Sequence, residues 1–385
     1  MRYKMTKIAF LSEGRINILE ILDGDTSPQL LNCMIADKYK EREREIRLKN
    51  EWKHSGAGAM FTGSYLPDMP DSDMMRLAIT GLSKGVDERL IYAINFENGG
   101  GVYFKPIDQE ELETPILVNM KTRFYELDIN PSGNIAVSCA EGYFERHIAL
   151  LKIEGNDLRI ITEGDSSDCN PKWSKKDGDK LYYDSAGIAF DNAGNFAGYG
   201  PRSIYSLHTK TGDFEEILTG DKYDYSSPFE DKNGYLYYIR RPYKQSRDKM
   251  SFKDFVLAPF RILRAFGAML DLFTRRYTGE SLKTSGANPA KLDTKSPQQI
   301  FIDGNLYEAD KILKENAAAG DKNPGYAPRS WELVKRTPEG EEQVVQKSVM
   351  SYMVTDAGIV YSNGKYIISD TGAVKVHLAG KICEV

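Results

Sequence analysis

The chain has 385 residues, with 51 Lys and Arg against 56 Asp and Glu and a formal net charge of −5. Hydrophobic residues make up 41% and charged residues 28%, enough apolar side chain for a packed core, so global disorder is excluded. The mildly acidic balance argues against nucleic acid, whose phosphates call for a basic face. At ~100–200 residues per domain, the length allows one large domain or two ordinary ones.

The chain opens with two short strand-like runs, KIAFLS and RINILEIL, about a Glu-Gly turn. The first apolar run, Ile8–Leu11, is broken by Glu13 and Arg15. It is shorter than the ~7–15 apolar residues of a secretory signal. No run of ~18 uncharged apolar residues follows, so no spanning helix is expected. Both points predict a cytoplasmic protein. Cys33, Cys139, Cys169 and Cys383 lie far apart, without a C-x-x-C pair. They read as free thiols in a reducing compartment, and zinc is not expected.

Residues 35–53 (IADKYKEREREIRLKNEWK) read as a solvated helix, with Glu43–Arg47 and Glu45–Lys49 as i,i+4 pairs. Beyond it, strands follow one another through turns: NIAVSCA then HIALLKI, KLYYDSA then SIYSLHT, YLYYIRR then SWELVKR. Parallel βαβ units would need a helix between successive strands, and most of the chain has none. Four windows repeat a theme of an apolar residue, a polar turn ending in glycine, and a strand. Their turn glycines are Gly133, Gly178, Gly234 and Gly358. The first two intervals point to a period of ~40–50 residues built from four strands, that of a propeller blade. The third is far longer and must hold an insertion.

Within Leu158–Gly187 the sequence LRIITEGDSSDCNPKWSKKDGDKLYYDSAG resembles the TolB-type (WD40-like, PD40) propeller repeat, which reads L-T…P-x-W-S-P-D-G-k-x-I-x-F-x-S. Thr162, Pro171, Trp173, Ser174, Asp177, Gly178, Leu181 and Ser185 take the corresponding places. One turn residue is extra, and Lys175 stands where the family has proline. The turn Asn130–Gly133 is a second, weaker copy. Trp52, Trp173 and Trp331 precede Lys53, Ser174 and Glu332, so the Trp-Asp dipeptides of WD40 repeats proper are missing. The family's export signal and N-terminal domain are not read here either, so a periplasmic role is not carried over.

The expected fold is all-β, a six-bladed β-propeller, with five or seven blades also compatible and a helical insertion in the fifth. Blade one would use Lys7–Leu31, blade two about Ala57–Asn119, blade three Phe124–Glu163 and blade four Asp168–Gly220. Blade five would run from Tyr223 to Val345 around the insertion, and blade six over Ser348–Ala379. The first blade lacks its innermost strand, and the last residues, GKICEV, are the spare strand that would fill it. By domain, residues 1–243 carry blades one to four and the start of five, 244–329 the insertion, and 330–385 the remainder.

The insertion changes the period. At ~100° per residue, Phe252, Phe255, Val256, Phe260, Ile262, Leu263, Phe266, Met269, Leu270 and Phe273 share half a helix circumference. Lys253, Arg261, Arg264 and Arg275 share the other half with Asp254 and Asp271. Pro259 suits the first turn of the main helix. Phe252, Phe255, Phe260, Leu263, Phe266, Leu270 and Phe273, with Arg261, Arg264 and Arg275, are the candidate contact residues. Three surfaces fit such a helix: the propeller wall or the later segment Ile300–Leu313, an anionic membrane, or a partner's groove. The flanks, before Ile300 and after Leu313, read as loops.

Chemistry is sparse. Gly81-Leu82-Ser83-Lys84-Gly85 matches the nucleophile pattern G-x-S-x-G, but RLIYAINF follows as a strand, so a plain hairpin is expected. His54, His147, His208 and His377 are too dispersed for a metal centre. Asp23-Gly24-Asp25 and the Asp191–Asn195 turn lack the pattern of a calcium loop. No phosphate-binding or dinucleotide-binding glycine motif occurs. No catalytic residue, metal or cofactor is therefore expected. The chain reads as a binding or scaffold propeller for a protein or peptide, with an anionic membrane as a further contact. The alternative is a hydrolase-type or lyase-type propeller enzyme with its site at the channel mouth.

Overall fold

The computed structural model describes residues 6–21, 27–54, 78–87, 89–96, 99–107, 112–142, 144–155, 157–190, 196–243, 299–302 and 305–385. Strands β1 (Thr6–Ser12), β2 (Arg15–Ile21) and β3 (Gln29–Leu30) begin blade 1, and helix α1 (Met34–His54) follows. Blade 2 is β4 (Ala78–Lys84), β5 (Arg89–Phe96), β6 (Gly99–Pro106) and β7 (Thr114–Asn119). Blade 3 is β8 (Arg123–Ile129), β9 (Asn134–Ala140), β10 (His147–Lys152) and β11 (Arg159–Ile160). Blade 4 contains β12 (Ser166–Trp173), β13 (Lys180–Phe190), a side ribbon β14 (Phe196–Tyr199), β15 (Ser203–His208) and β16 (Phe214–Leu218).

Blade 5 starts with β17 (Tyr223–Glu230) and β18 (Leu236–Pro242). A hairpin of β19 (Gln299–Ile302) and β20 (Asn305–Glu308) and helix α2 (Ala309–Ala318) come before its outer strands β21 (Glu332–Arg336) and β22 (Glu342–Lys347). Blade 6 is β23 (Ser351–Thr355), β24 (Gly358–Ser362), β25 (Tyr366–Ser369) and β26 (Gly372–Lys375). The last strand, β27 (Ile382–Glu384), returns to β1 and is the innermost strand of blade 1. The result is a six-bladed β-propeller.

The described residues of Met1–Ala36, Leu77–Tyr243 and Asn316–Val385 form the propeller unit. Those of Asp37–Arg76 and Lys244–Glu315 form a second unit, which holds most of α1, the β19–β20 hairpin and the start of α2.

Each blade is an antiparallel sheet packed between two neighbours. Its second strand is therefore covered on both faces. That is why RLIYAINF is buried from Leu90 to Phe96 and NIAVSCA from Ile135 to Ala140, without the alternation of a half-exposed strand. The outer strands β16 and β22 are mostly exposed. Apolar clusters fill successive wedges: Ile91, Val102 and Phe124 between blades 2 and 3, and Ile148, Trp173 and Leu181 between 3 and 4. Tyr182, Tyr238 and Val334 follow between blades 4 and 5, Tyr237, Leu333 and Val349 between 5 and 6, and Phe10, Leu19 and Val360 between 6 and 1.

The repeated turn has a common chemistry. Asn130 Oδ1 accepts from Ser132 N at 3.1 Å and Asn134 N at 2.9 Å, and Asp231 Oδ1 accepts from Asn233 N at 2.8 Å and Tyr235 N at 3.0 Å. Gly133 and Gly234 close these turns at φ 79° and 83°, the left-handed region that glycine enters without steric cost. Gly178, in the family-like repeat, needs no such conformation.

Two expectations are corrected. The solvated helix is one residue longer at each end than residues 35–53. The run after Leu313 is not all loop, because α2 continues through Ala318, where Asn316 Nδ2 donates to Gly325 O and Ala327 O at 2.9 Å each.

Closure rests on a short ladder. Ile8 pairs with Glu384, Ala9 with Cys383 and Phe10 with Ile382, flanked by Leu11 N donating to Lys381 O at 2.9 Å. Ile382 and Cys383 are both 7% exposed. Deleting Lys381–Val385 is expected to cost roughly 3–6 kcal/mol from their burial alone. The loss is read from the urea midpoint, and an unchanged midpoint contradicts the role given to β27.

Candidate functional site

The innermost strands surround the ring centre, with β27 beside β4, β4 beside β8, β8 beside β12, and β12 beside β17. Four of them are interrupted by a bulge: between Ile79 and Gly81, Phe124 and Leu127, Cys169 and Lys172, and Ser226 and Phe229. In β12 and β17 the extra residues are Asn170-Pro171 and Ser227-Pro228. Proline cannot donate to the ladder, so the strand breaks register there. Asn170 and Ser227 take left-handed backbone at φ 51° and 55°, which re-aims their polar groups.

These groups converge on one carboxylate. Asp184, fully buried on β13, accepts from Arg202 Nη1 at 2.6 Å through Oδ1. Its Oδ2 accepts from Asn170 Nδ2 at 2.8 Å and Ser227 N at 2.7 Å. Lys381, just before β27, donates to Asn170 Oδ1. That bond ties blade 1 to blade 4, its opposite number in the ring. Tyr352 OH of β23 donates to Ser227 O at 2.7 Å. Above them, Arg146 lies 3.7 Å over the Tyr125 ring and 3.8 Å from Glu126 Oε2.

A second carboxylate, Asp128 on β8, joins three blades. Ser83 Oγ of blade 2 donates to its Oδ1 at 2.8 Å, Lys172 Nζ of blade 4 to the same oxygen at 2.7 Å, and Trp173 N to Oδ2 at 3.0 Å. Burial opposes its ionisation, but the Lys172 and Lys175 ammoniums and these hydrogen bonds outweigh burial. Its carboxyl is held below the usual carboxylate range. For Asp184 burial prevails over Arg202 and the other donors, and its carboxyl is pushed up. Burial also pushes the Lys381 ammonium below its ordinary value, against the pull of Glu126 and Asp184. The Cys169 thiol is raised by burial in spite of Arg202 and Arg146, which keeps it protonated. The centre is thus a plug whose charges are neutralised by one another. It fastens blades together through hydrogen bonds and ion pairs that cross between them.

A separate cleft of ≈ 500 Å³ opens between blades 3 and 4, lined on one side by Tyr183, Tyr205 and Phe214 and bordered by Glu163, Asp168 and Glu216.

Ser83 lies inside β4 and is buried against Asp128, so it is not on a nucleophile turn. The glycines of that motif have packing causes: a Cβ on Gly81 would sit 2.0 Å from Tyr125 O, and one on Gly85 would sit 2.8 Å from Arg89 O. His147, His208 and His377 each face a different acid, Asp168 at 3.8 Å, Asp177 at 3.6 Å and Glu13 at 3.8 Å. His54 ends α1. Among the described residues no group of three or more His, Cys, Asp or Glu is placed to hold a metal. Phe252, Phe255, Phe260, Leu263, Phe266, Leu270, Phe273, Arg261, Arg264 and Arg275 lie outside the described residues, as do Asp23–Asp25 and Asp191–Asn195. Asp128, Asp184, Arg202 and Lys381 escaped the sequence reading. The available signal was the recurrence of a proline in CNPKW and SSPFE, which marks the bulges.

Fold and centre together define a six-bladed β-propeller with a plugged axis. No protein-family model matches the sequence, and no curated protein is significantly similar to it. Among solved structures, TolB from Acinetobacter baumannii is similar at a TM-score of 0.49 and 10% identity, over 98% of this chain and 66% of that one. A TolB described as putative, from Agrobacterium tumefaciens, is similar at 0.39 and 13% identity, over 63% of this chain and 68% of its own. An oligogalacturonate lyase in complex with manganese is similar at 0.37 and 12% identity, over 63% of this chain and 57% of its own.

Two tests address the plug. Arg202→Met strands the buried Asp184 carboxylate and is expected to cost about 3–5 kcal/mol, whereas adding Asp184→Asn recovers much of it. Strict additivity in urea unfolding contradicts the pairing. Asp128 titrates lower in the folded chain than its unfolded value of about 3.9, so its contribution is present above that pH and is lost as pH falls through the folded value. Asp128→Asn is expected to remove roughly 2–3 kcal/mol near pH 7 and to flatten the acid limb of stability. A wild-type acid limb in that variant contradicts the assignment.

Proposed function

We propose that this chain is a non-catalytic propeller that binds a protein or peptide partner, with residues 251–277 as a second contact on an anionic membrane face. The observation that carries the reading is the plugged centre. Asp128, Asp184, Lys172, Arg202 and Lys381 are each engaged by another side chain of the ring, so the axis works as a fastening, and the exposed surface between and above the blades is left for recognition. Among the described residues no helix is long and apolar enough to cross a membrane. Attachment through an amphipathic face needs no such helix. The enzyme reading has one feature in its favour, the left-handed backbone at Asn170 and Ser227 beside the axis.

Both contacts are testable with the whole chain. Immobilised protein is expected to retain a partner that rebinds, after purification, with a saturable isotherm. A chain that turns over substrate and retains no such partner favours the enzyme. In the second assay the protein is expected to sediment with phosphatidylserine vesicles at low salt, and Phe260→Ser, Phe266→Ser and Phe273→Ser together abolish this. No sedimentation of the wild type removes the membrane contact and leaves the partner reading in place.

A further inference from the structure

The cleft between blades 3 and 4 has a chemistry opposite to that of the axis. It exists because blade 3 ends in a two-residue outer strand, β11, while β16 of blade 4 runs for five residues. The wedge between them is left open over a volume of ≈ 500 Å³, within the ~300–1,000 Å³ of ordinary ligand sites.

Its wall is an aromatic stack. Tyr183 and Tyr205 lie 5.8 Å apart at 28°, and Tyr205 and Phe214 lie 5.3 Å apart at 17°. The outermost ring, Phe214, is 60% exposed, a large apolar face on an open edge. Tyr205 OH donates to Glu216 Oε2 at 3.2 Å, which holds that carboxylate beside the rings.

Its inner end is Asp168, whose side chain is only 3% exposed. Oδ1 accepts from Ser185 Oγ at 2.5 Å, while Oδ2 lies 3.8 Å from His147 Nδ1, beyond hydrogen-bond reach. An ionised carboxylate has about four acceptor positions, and among the described residues this one receives a single hydrogen bond. Glu163 borders the same space. The lining contains three carboxylates and, among the described residues, neither lysine nor arginine. In the axis, by contrast, Asp128 and Asp184 each have a cationic partner within 2.7 Å.

We infer that this cleft is the seat of a basic peptide segment from the partner, with a lysine or arginine side chain laid along the Tyr183–Tyr205–Phe214 stack and its charge directed to Asp168, Glu163 and Glu216. Aromatic faces attract cations, and the aliphatic stem of such a side chain covers apolar surface that Phe214 exposes. The outer strands β11 and β16 each pair with a single neighbour, so an extended peptide can approach their outer edges, Ile217 O of β16 being already taken by Arg336. The inference rests on the partner reading above and names the chemistry of the partner.

The test uses the whole chain and fluorescein-labelled hexaarginine, followed by polarisation at 0.15 M salt. Glu163→Gln with Glu216→Gln is expected to weaken binding at least tenfold, and Phe214→Ala about fivefold. The pair Glu339→Gln with Glu341→Gln, on an exposed turn of blade 5, makes the same change in net charge and is expected to stay within twofold. Thermal melts confirm that each variant is folded. No binding by the wild type, or equal weakening by the two charge pairs, overturns the assignment. The purified partner from the capture experiment separates the two readings. If it binds the Glu163→Gln, Glu216→Gln variant as it binds the wild type, the partner reading stands and the cleft assignment falls.

Discussion

The ladder between Ile382–Glu384 and Ile8–Phe10 is the constraint on which the rest of the propeller depends. Without it, blade 1 would expose β1 as an open inner edge. The ladder joins the two ends of the chain, so it closes the longest loop the sequence contains, and long loops carry the largest closure entropy. The same segment delivers Lys381 to the axis, where it meets Asn170 across the ring. Closing the ring and completing its centre are therefore one event.

The axis shows how such a ring handles polar residues that its geometry forces inward. Bulges at Asn170 and Ser227 break the ladder and leave backbone and side-chain groups to satisfy. Asp184 collects them, and Arg202 neutralises Asp184. Asp128 does the same for blades 2 to 4. Unpaired, these buried groups would each cost several kcal/mol. Paired, they fix the rotation of one blade against the next, which apolar wedges alone define less sharply. The blade 3–4 cleft is the counterpart, with carboxylates beside the exposed Phe214 ring and neither lysine nor arginine in its described lining.

Much of the architecture was legible in the residues, because it is local. The hairpins and the Asn130 and Asp231 turns are decided by side chains bonding to backbone two to four residues away. The period follows from those turns, Trp173 marks a repeat, and GKICEV stood out as a strand without a neighbour. The motif around Ser83 was correctly demoted by the strand that follows it. The helix after Leu313 was missed because a run of alanines before Gly320 looks like a linker until Asn316 is seen to hold it.

Strand grammar, the repeat and the closing segment can be read from the residues, since each depends on neighbours within a few positions or on a pattern that recurs. The centre and the cleft come into view with the folded ring alone. Lys381 and Asn170 are 211 positions apart, and Arg202 reaches Asp184 only because β13 and β15 are adjacent strands of one blade. The cleft depends on β11 stopping short, a difference in length between two outer strands that no composition or period encodes. Charge pairing and open space arise from the sum of many long-range placements, and that sum is known only once the ring is closed.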